Sequence, residues 1–354
     1  GGGSLTGVRL FARIRRELGA DLSLSALLQA PTIRELAVLV RANSSQPDDE
    51  EQTAVVPETV VKAPVGTPAP SSNVKQLPLR SKWTPLVRMA PGDPSVRPIF
   101  LIHGAPGNVL WFKPLVDRLR DDGAPLYGVE AQGVDGSLPF LDSIEEMAQL
   151  YVRHLLSVDP VGPYRLVGYS GGGVIAVEMA HILERSGRSV ELLVMLDTLA
   201  PQAAGPLTLL EKIKVVGRMN PTYLSRYPRK FWRQFSAATQ ARFRPVAVAE
   251  KKSQIEIRAE VCEAAYRRAQ GYYHPQPYSG DVLLFRAAYA DAIFSNASEM
   301  LGWDDVLIGK VDIVPLEAEH GTLLVEGAFE NLVSELRRRI RELDEVRAPM
   351  RAAQ

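Results

Sequence analysis

The residues best suited to chemistry form the stretch Gly168-Tyr169-Ser170-Gly171-Gly172, which has the spacing G-x-S-x-G. A short apolar run at 164–167 precedes it and predicts a buried strand, and residues 174–185 follow with apolar positions at helical spacing. A serine on a tight turn between a strand and a helix is typical of a nucleophile elbow, in which the hydroxyl projects outward. The alternative is a Ser-Gly turn that only caps a helix.

A serine hydroxyl needs a base to accept its proton, and the chain has five histidines. His154 and His181 fall within predicted helices, and His274 precedes a proline. His320 follows the last predicted strand and precedes the last predicted helix, a loop position from which a side chain can reach the elbow. We therefore predict His320 as the general base.

A third residue must orient the imidazole and stabilise its charged form. Asp197 ends a predicted strand and is expected at the same edge of the sheet as Ser170, which predicts it as the acid. Asp281 begins a strand and is expected at the opposite edge, while Asp291 and Asp304 are loop candidates with weaker placement. The alternative interpretation of Asp197 is a helix cap.

The oxyanion of an acyl-transfer intermediate requires two backbone N–H donors. We predict the N–H of Gly171, directly after the serine, and the N–H of Ala105, in the loop after strand 99–102. Pro106 in the same loop has no N–H. His103, at the start of the loop, is predicted to brace the loop rather than to act as a base.

The composition is that of an ordinary globular protein: 354 residues, 46% apolar and 23% charged, with a net charge of zero. Balanced charge gives no support for nucleic acid or an anionic membrane as a partner. No apolar stretch approaches the roughly 20 residues of a membrane span, and no secretory signal is visible. The lone Cys262 fits a reducing compartment and is predicted to pack in a helix, 255–270. We expect a cytoplasmic protein, and no His/Cys spacing predicts a metal site.

The composition divides the chain into three predicted segments. Residues 1–43 have helical spacing, with a capping box at Thr32–Glu35, and residues 44–79 form a Pro-rich, charged linker without aromatic residues. From 80 to 345, apolar strands alternate with amphipathic helices, which predicts a mostly parallel sheet covered on both faces. The predicted strands are 86–89, 99–102, 126–129, 165–167, 191–196, 282–286 and 311–314. The predicted helices between and after them are 111–120, 144–156, 174–185 and 328–343.

An insertion of about 80 residues separates the strand before Asp197 from the strand that begins near 282, and it predicts a helical lid over the site at about 200–278. Its first half is strongly basic, with only Glu211 opposing the lysines and arginines. Two interpretations remain open: a solvated helix face, or a docking surface for an acidic partner or a phosphate.

Together these residues resemble the terminal thioesterase domains of nonribosomal peptide synthetases and related polyketide synthases. The resemblance covers most of 85–345 and includes Gly162-Pro163-Tyr164, the elbow, Leu196-Asp197 and His320. It implies an α/β-hydrolase fold with a helical lid, and an acid only 27 positions after the serine (197 minus 170) is typical of that family. One departure is Gly171, where the family more often has a bulkier residue, so we expect open space beside the nucleophile.

The N-terminal segment resembles the second half of a peptidyl carrier domain, through Gly1-Gly2-Gly3-Ser4-Leu5, residues 9–19 and Pro31-Thr32-Ile33. In that family the serine of G-G-x-S-L carries 4′-phosphopantetheine, and Ser4 matches it. The helix that precedes the serine in that family is missing from this sequence, so the resemblance implies an incomplete helical carrier segment. An artificial linker at residues 1–4 is the alternative.

The resemblance predicts a chain-terminating thioesterase that takes an acyl or peptidyl chain from a phosphopantetheine carrier and releases it by hydrolysis or macrocyclisation. The implied partners are the upstream synthetase modules and the carrier-bound thioester. The first alternative is a free-standing serine esterase or lipase, against which the carrier-like segment argues. The second is a noncatalytic docking module on the same fold, against which the complete Ser, His and Asp set argues.

Overall fold

The computed structural model describes residues 83–203, 254–289, 297–324 and 328–351, together with parts of 10–43. Its strands are β1 (Leu86–Ala90), β2 (Ile99–Ile102), β3 (Leu126–Val129), β4 (Tyr164–Tyr169), β5 (Val190–Leu196), β6 (Val282–Tyr289) and β7 (Val311–Glu319). They form a seven-stranded sheet in the order β1-β3-β2-β4-β5-β6-β7. The β1–β3 pair is antiparallel and the other neighbours are parallel, which confirms the predicted mostly parallel sheet.

The described helices are α1 (Ile33–Asn43), α2 (Lys113–Leu119), α3 (Ile144–Val158), α4 (Gly171–Arg185), α5 (Gln254–Tyr272) and α6 (Phe329–Arg351). The seven predicted strands, and the four helices predicted between and after them, are all present, and the differences lie at the ends. Helix α4 begins directly after Ser170, three residues earlier than predicted, because glycines with low helix propensity obscure its first turn. Strand β7 runs on to Glu319, so the strand itself carries the chain to His320.

The core lies on both faces of the sheet. Helices α3 and α4 pack on one face, against alternate strand residues that include Phe100 and Leu166. Helices α2 and α6 pack on the other face, against the intervening residues, which include Leu101 and Val167. Because successive strand residues point to opposite faces, strands covered on both sides must be apolar throughout, as β2 is.

The N-terminal segment has a small apolar cluster of its own. It consists of Ile14, Ala20, Ala26, Ala30, Leu36 and Val40. The predicted capping box opens α1, since the backbone N–H of Thr32 donates to Glu35 Oε2 at 3.0 Å and the backbone N–H of Glu35 donates to Thr32 Oγ1 at 3.3 Å. Ser4, the predicted linker and the basic half of the predicted lid lie outside the described residues, so the division into three segments and the lid stay predictions.

Candidate active site

Ser170 occupies a strained turn between β4 and α4. Its backbone has φ +53° and ψ −120°, a conformation that residues with a side chain seldom adopt. Its N–H donates to the carbonyl of Leu196 at 2.9 Å, and its carbonyl accepts from the N–H of Gly173 at 3.1 Å. These bonds join the turn to β5 and to α4. The half-buried side chain therefore stands at the carboxyl edge of the sheet, as the elbow pattern predicts.

Gly172 lets α4 approach the end of β2. A Cβ atom at this position would lie 2.4 Å from the carbonyl oxygens of both Ile102 and His103, a distance that no side chain can occupy. The close approach brings the loop that follows β2, with Ala105, next to the first turn of α4. The two backbone segments predicted to supply the oxyanion donors thus lie side by side.

His320 follows β7 and lies between Ser170 and Asp197. Its Nε2 atom is 3.0 Å from Ser170 Oγ, and its Nδ1 atom is 2.7 Å from Asp197 Oδ2. A carboxylate can only accept, so Nδ1 carries the proton and donates it to Asp197, and Nε2 is left to accept from the serine hydroxyl. The structure thus brings together the three side chains predicted as nucleophile, base and acid.

Asp197 is held on both of its carboxylate oxygens. The backbone N–H of Ala287 donates to Oδ1 at 2.9 Å, while Oδ2 accepts from His320. Its own N–H donates to the carbonyl of Phe285 at 2.8 Å, and its backbone adopts φ +48°. The Asp197 residue is only 2% exposed, so these donors take the place of water around its carboxylate oxygens.

Two of the other three aspartates considered from the sequence lie away from Ser170 and His320. Asp281 directly precedes β6 and therefore lies at the amino edge of the sheet, as predicted. Asp304 accepts a hydrogen bond from the hydroxyl of Ser298. Asp291 lies outside the described residues.

Tyr169 is a site residue that the sequence analysis did not single out. Its ring stacks on the imidazole of His320, with centroids 5.3 Å apart and planes 16° from parallel. Its hydroxyl donates to the backbone carbonyl of His320 at 2.8 Å. Tyr169 therefore fixes both the ring and the backbone of that histidine. The available signal was an aromatic residue at the last position of the strand, directly before the serine.

His103 braces the loop after β2, as predicted. Its Nδ1 atom lies 2.6 Å from the carbonyl oxygen of Gly104, and its Nε2 atom lies 2.7 Å from the hydroxyl of Tyr151. The carbonyl accepts from Nδ1, so Nε2 accepts from the tyrosine. Burial lowers the pKa of His103 to about 4, which keeps the ring neutral at physiological pH.

The expectation of open space beside Gly171 is wrong. A Cβ atom on Gly171 would lie 2.5 Å from the ring of Tyr266, a residue of α5 that is only 3% exposed. The Tyr266 hydroxyl donates to the carbonyl of Gly171 at 3.1 Å. The sequence shows that residue 171 has no side chain, but it does not show that Tyr266 of a distant helix fills the space beside it.

Cys262, one turn before Tyr266 on α5, is a buried packing residue, as predicted. Burial raises the pKa of its thiol to about 12, so the thiolate is not formed at neutral pH. Across the described ranges, no group of three or more His, Cys, Asp or Glu side chains is arranged to hold a metal ion. Within the same ranges, no helix has both the length and the apolar character to cross a membrane.

A serine in a strained strand–helix turn, joined to a histidine and an aspartate at the carboxyl edge of a parallel sheet, is the arrangement of the α/β-hydrolase class. The Thioesterase domain family matches residues 97–340, more than half of the sequence, and the chain belongs to this family. A second family, the phosphopantetheine attachment site, matches residues 1–40. Both matches confirm the resemblances drawn from the sequence.

Curated relatives are large synthetases. The chain is 27% identical over 320 residues to the malpibaldin synthetase of Mortierella alpina, covering 90% of this chain and 5% of that protein. It is 28% identical over 330 residues to a dimodular nonribosomal peptide synthase of Bacillus subtilis, covering 91% of this chain and 12% of that protein. The chain thus spans a small part of the length of these relatives.

Solved structures show the same fold. The NocB thioesterase domain, in covalent complex with a fluorophosphonate nocardicin G analogue, is 23% identical with a TM-score of 0.51, covering 69% of this chain and 94% of that chain. A four-domain nonribosomal peptide synthetase is 21% identical with a TM-score of 0.56, covering 98% of this chain and 24% of that chain. This likeness confirms the predicted α/β-hydrolase fold.

Proposed function

We propose that the chain releases acyl or peptidyl chains from a carrier through a covalent intermediate on Ser170. The observation that carries the proposal is the hydrogen-bonded series Ser170–His320–Asp197, with distances of 3.0 and 2.7 Å. In this proposal Ser170 is the nucleophile, His320 the general base and Asp197 the residue that orients it. The backbone N–H groups of Ala105 and Gly171 stabilise the oxyanion.

In the first half-reaction, Ser170 Oγ forms a bond to the thioester carbonyl carbon while its proton passes to His320 Nε2. The carbonyl oxygen becomes an oxyanion and accepts from the two backbone donors. The carbon–sulfur bond then breaks, and the proton on Nε2 goes to the departing sulfur. An ester on Ser170 and a free thiol remain.

In the second half-reaction, Nε2 takes a proton from the incoming nucleophile, which attacks the ester carbonyl. Water gives a free acid, and a hydroxyl or amine within the acyl chain gives a macrocycle. The proton then returns to Ser170 Oγ as the carbon–oxygen bond breaks. Both outcomes use the same three side chains.

The carrier segment supplies the substrate in this proposal. Ser4 is the attachment residue, and 4′-phosphopantetheine bound there provides the thiol that holds the chain as a thioester. The match of residues 1–40 to the phosphopantetheine attachment family supports this assignment, and upstream synthetase modules are the proposed partners. A linker at 44–79 makes delivery intramolecular, with an effective concentration in the millimolar range.

The proposal is tested with an acyl-pantetheine thioester and the matching oxygen ester of the same acyl group. We expect the wild-type chain to release thiol, to prefer the thioester, and to lose thiol release when Ser170→Ala is introduced. Ser157→Ala, at an exposed serine of α3, is the control and retains activity. Undiminished thiol release by Ser170→Ala contradicts the mechanism, and a preference for the oxygen ester favours the free-standing esterase.

A further inference from the structure

One face of α5 contacts both segments that carry the proposed oxyanion donors. Cys262 and Tyr266 are four residues apart, so they lie on the same side of the helix, and both are buried. Tyr266 contacts Gly171 at the start of α4. Cys262 contacts Gly107 in the loop after β2, where a Cβ atom on the glycine would lie 2.5 Å from Sγ.

Each contact bears on the backbone that presents a donor. The N–H of Gly107 donates to the carbonyl of Gly104 at 2.9 Å, which closes the turn that contains Ala105. Gly107 adopts φ +87°, and its lack of a side chain lets Cys262 pack directly on this turn. The helix therefore limits how far the turn can move away from Ser170.

The contact at Gly171 is the more specific of the two, because it includes a hydrogen bond. Burial raises the pKa of the Tyr266 phenol, so the hydroxyl stays protonated and donates to the Gly171 carbonyl. Gly171 also carries the backbone N–H that is proposed to bind the oxyanion. The hydrogen bond to the Gly171 carbonyl and the tyrosine ring beside it both restrict rotation of the Gly171 backbone.

We infer that Tyr266 is a positioning residue of the oxyanion hole, and that Gly171 and Tyr266 form a matched pair in which α5 supplies the bulk that residue 171 lacks. This inference rests on the proposed function, since it concerns the same donors. A preorganised donor matters most when negative charge develops on the carbonyl oxygen. Loss of the pair should therefore lower kcat and leave substrate binding nearly unchanged.

The first test compares Tyr266→Phe with two matched variants in the full chain. Tyr273→Phe removes another buried hydroxyl, which donates to Glu178 Oε2 at 2.8 Å, and Tyr272→Phe alters a side chain that is 83% exposed. We expect Tyr266→Phe to lower kcat about fivefold to tenfold on an acyl-pantetheine thioester, with KM within about twofold. Binding of an alkyl boronic acid, which forms a tetrahedral adduct on serine, should weaken by the same factor. Equal kcat and boronic acid affinity in Tyr266→Phe and Tyr273→Phe would overturn the inference.

The second test exploits the reciprocity of the pair. Gly171→Ala should lower kcat further than Tyr266→Phe does, because the new methyl group meets the tyrosine ring. The double variant Gly171→Ala/Tyr266→Leu removes the ring and should regain activity relative to Gly171→Ala alone. A double variant no more active than Gly171→Ala contradicts the pairing.

The melting temperature of each variant shows whether a loss of kcat comes from misfolding or from a displaced oxyanion donor. If Gly171→Ala does not fold, the Tyr266→Phe result alone tests the inference. If the wild-type chain releases thiol in a Ser170-dependent way but Tyr266→Phe has the wild-type kcat, this inference is wrong and the proposed function stands. A wild-type chain that releases no thiol overturns both.

Discussion

Ser170 and Asp197 both have an unusual backbone φ angle. Both have positive φ, +53° and +48°, and both stand directly after neighbouring strands, β4 and β5. Such conformations cost of order 1–3 kcal/mol each and persist where the surrounding structure enforces them. Here the hydrogen bonds to Leu196 and Phe285 do so. At the level of single residues, the fold therefore tolerates two strained backbone positions that direct the Ser170 hydroxyl and the Asp197 carboxylate towards His320.

The role of Asp197 gives a prediction about turnover. Asp197→Asn replaces an acceptor with an amide that can present a donor to Nδ1, which favours the wrong tautomer of His320. We expect turnover of an acyl-pantetheine thioester to fall by roughly 10⁴-fold, with the fold retained. Asp304→Asn, at an exposed aspartate, is the control and should be nearly silent. A loss below tenfold would assign the acid to another residue.

The buried His103 gives a prediction about stability and pH. Its pKa is about 4 in the folded chain against 6.5 for the ordinary group, so the unfolded chain binds more protons between these values. The free energy of unfolding is therefore unaffected by this group above pH 6.5. It decreases as the pH falls towards 4, by about 3 kcal/mol in all. His103→Gln should flatten that part of the curve in urea unfolding at pH 4.5 to 7.5, while His274→Gln, at an exposed histidine, should not. If the free energy of unfolding of His103→Gln has the same pH dependence as that of the wild type, the lowered pKa of His103 is contradicted.

The contact between α4 and the end of β2 gives a prediction at the level of elements. Gly172→Ala places a methyl group 2.4 Å from two backbone carbonyl oxygens, so the helix must move away from the loop that follows β2. We expect the free energy of unfolding to fall by about 2 kcal/mol or more, as measured in urea. Gly271→Ala in α5 meets nothing within 4 Å and should be neutral or stabilising by up to about 0.5 kcal/mol. Equal effects of the two variants would refute the close packing.

The elements and the three polar side chains could be predicted from the sequence because their signals are local. Apolar periodicity identifies strands and helices, and Ser170, Asp197 and His320 each follow directly from the end of a strand. The ends of the helices and strands are predicted less accurately, because glycines weaken the helical signal before residue 174 and β7 continues through polar residues.

Contacts between distant parts of the chain could not be predicted in this way. Tyr266 lies 95 positions after Gly171 in the chain, and nothing local links the two. Arg165 sits in an apolar run, yet it is fully buried and pairs with Glu191 on β5 and Asp344 on α6. A single sequence gives residue types and spacing, whereas pairings of this kind depend on which elements the fold brings together.

At the scale of the whole molecule, the two family matches place a phosphopantetheine attachment segment and a thioesterase domain in one chain. A chain extended upstream by the first half of the carrier domain should gain the mass of one phosphopantetheine arm when incubated with coenzyme A and a promiscuous phosphopantetheinyl transferase. Ser4→Ala in the same extended chain should gain none. A mass gain that persists in Ser4→Ala, or no gain in the parent, removes Ser4 as the attachment residue.

The central claim is that Ser170 becomes acylated, and intact-mass analysis after mixing with an acyl-pantetheine thioester tests it most directly. We predict a transient adduct of one acyl group that peptide mapping places on Ser170, that Ser170→Ala lacks, and that His320→Ala forms far more slowly. Thioester cleavage at the wild-type rate by Ser170→Ala, or an adduct that maps to another residue, would contradict the account.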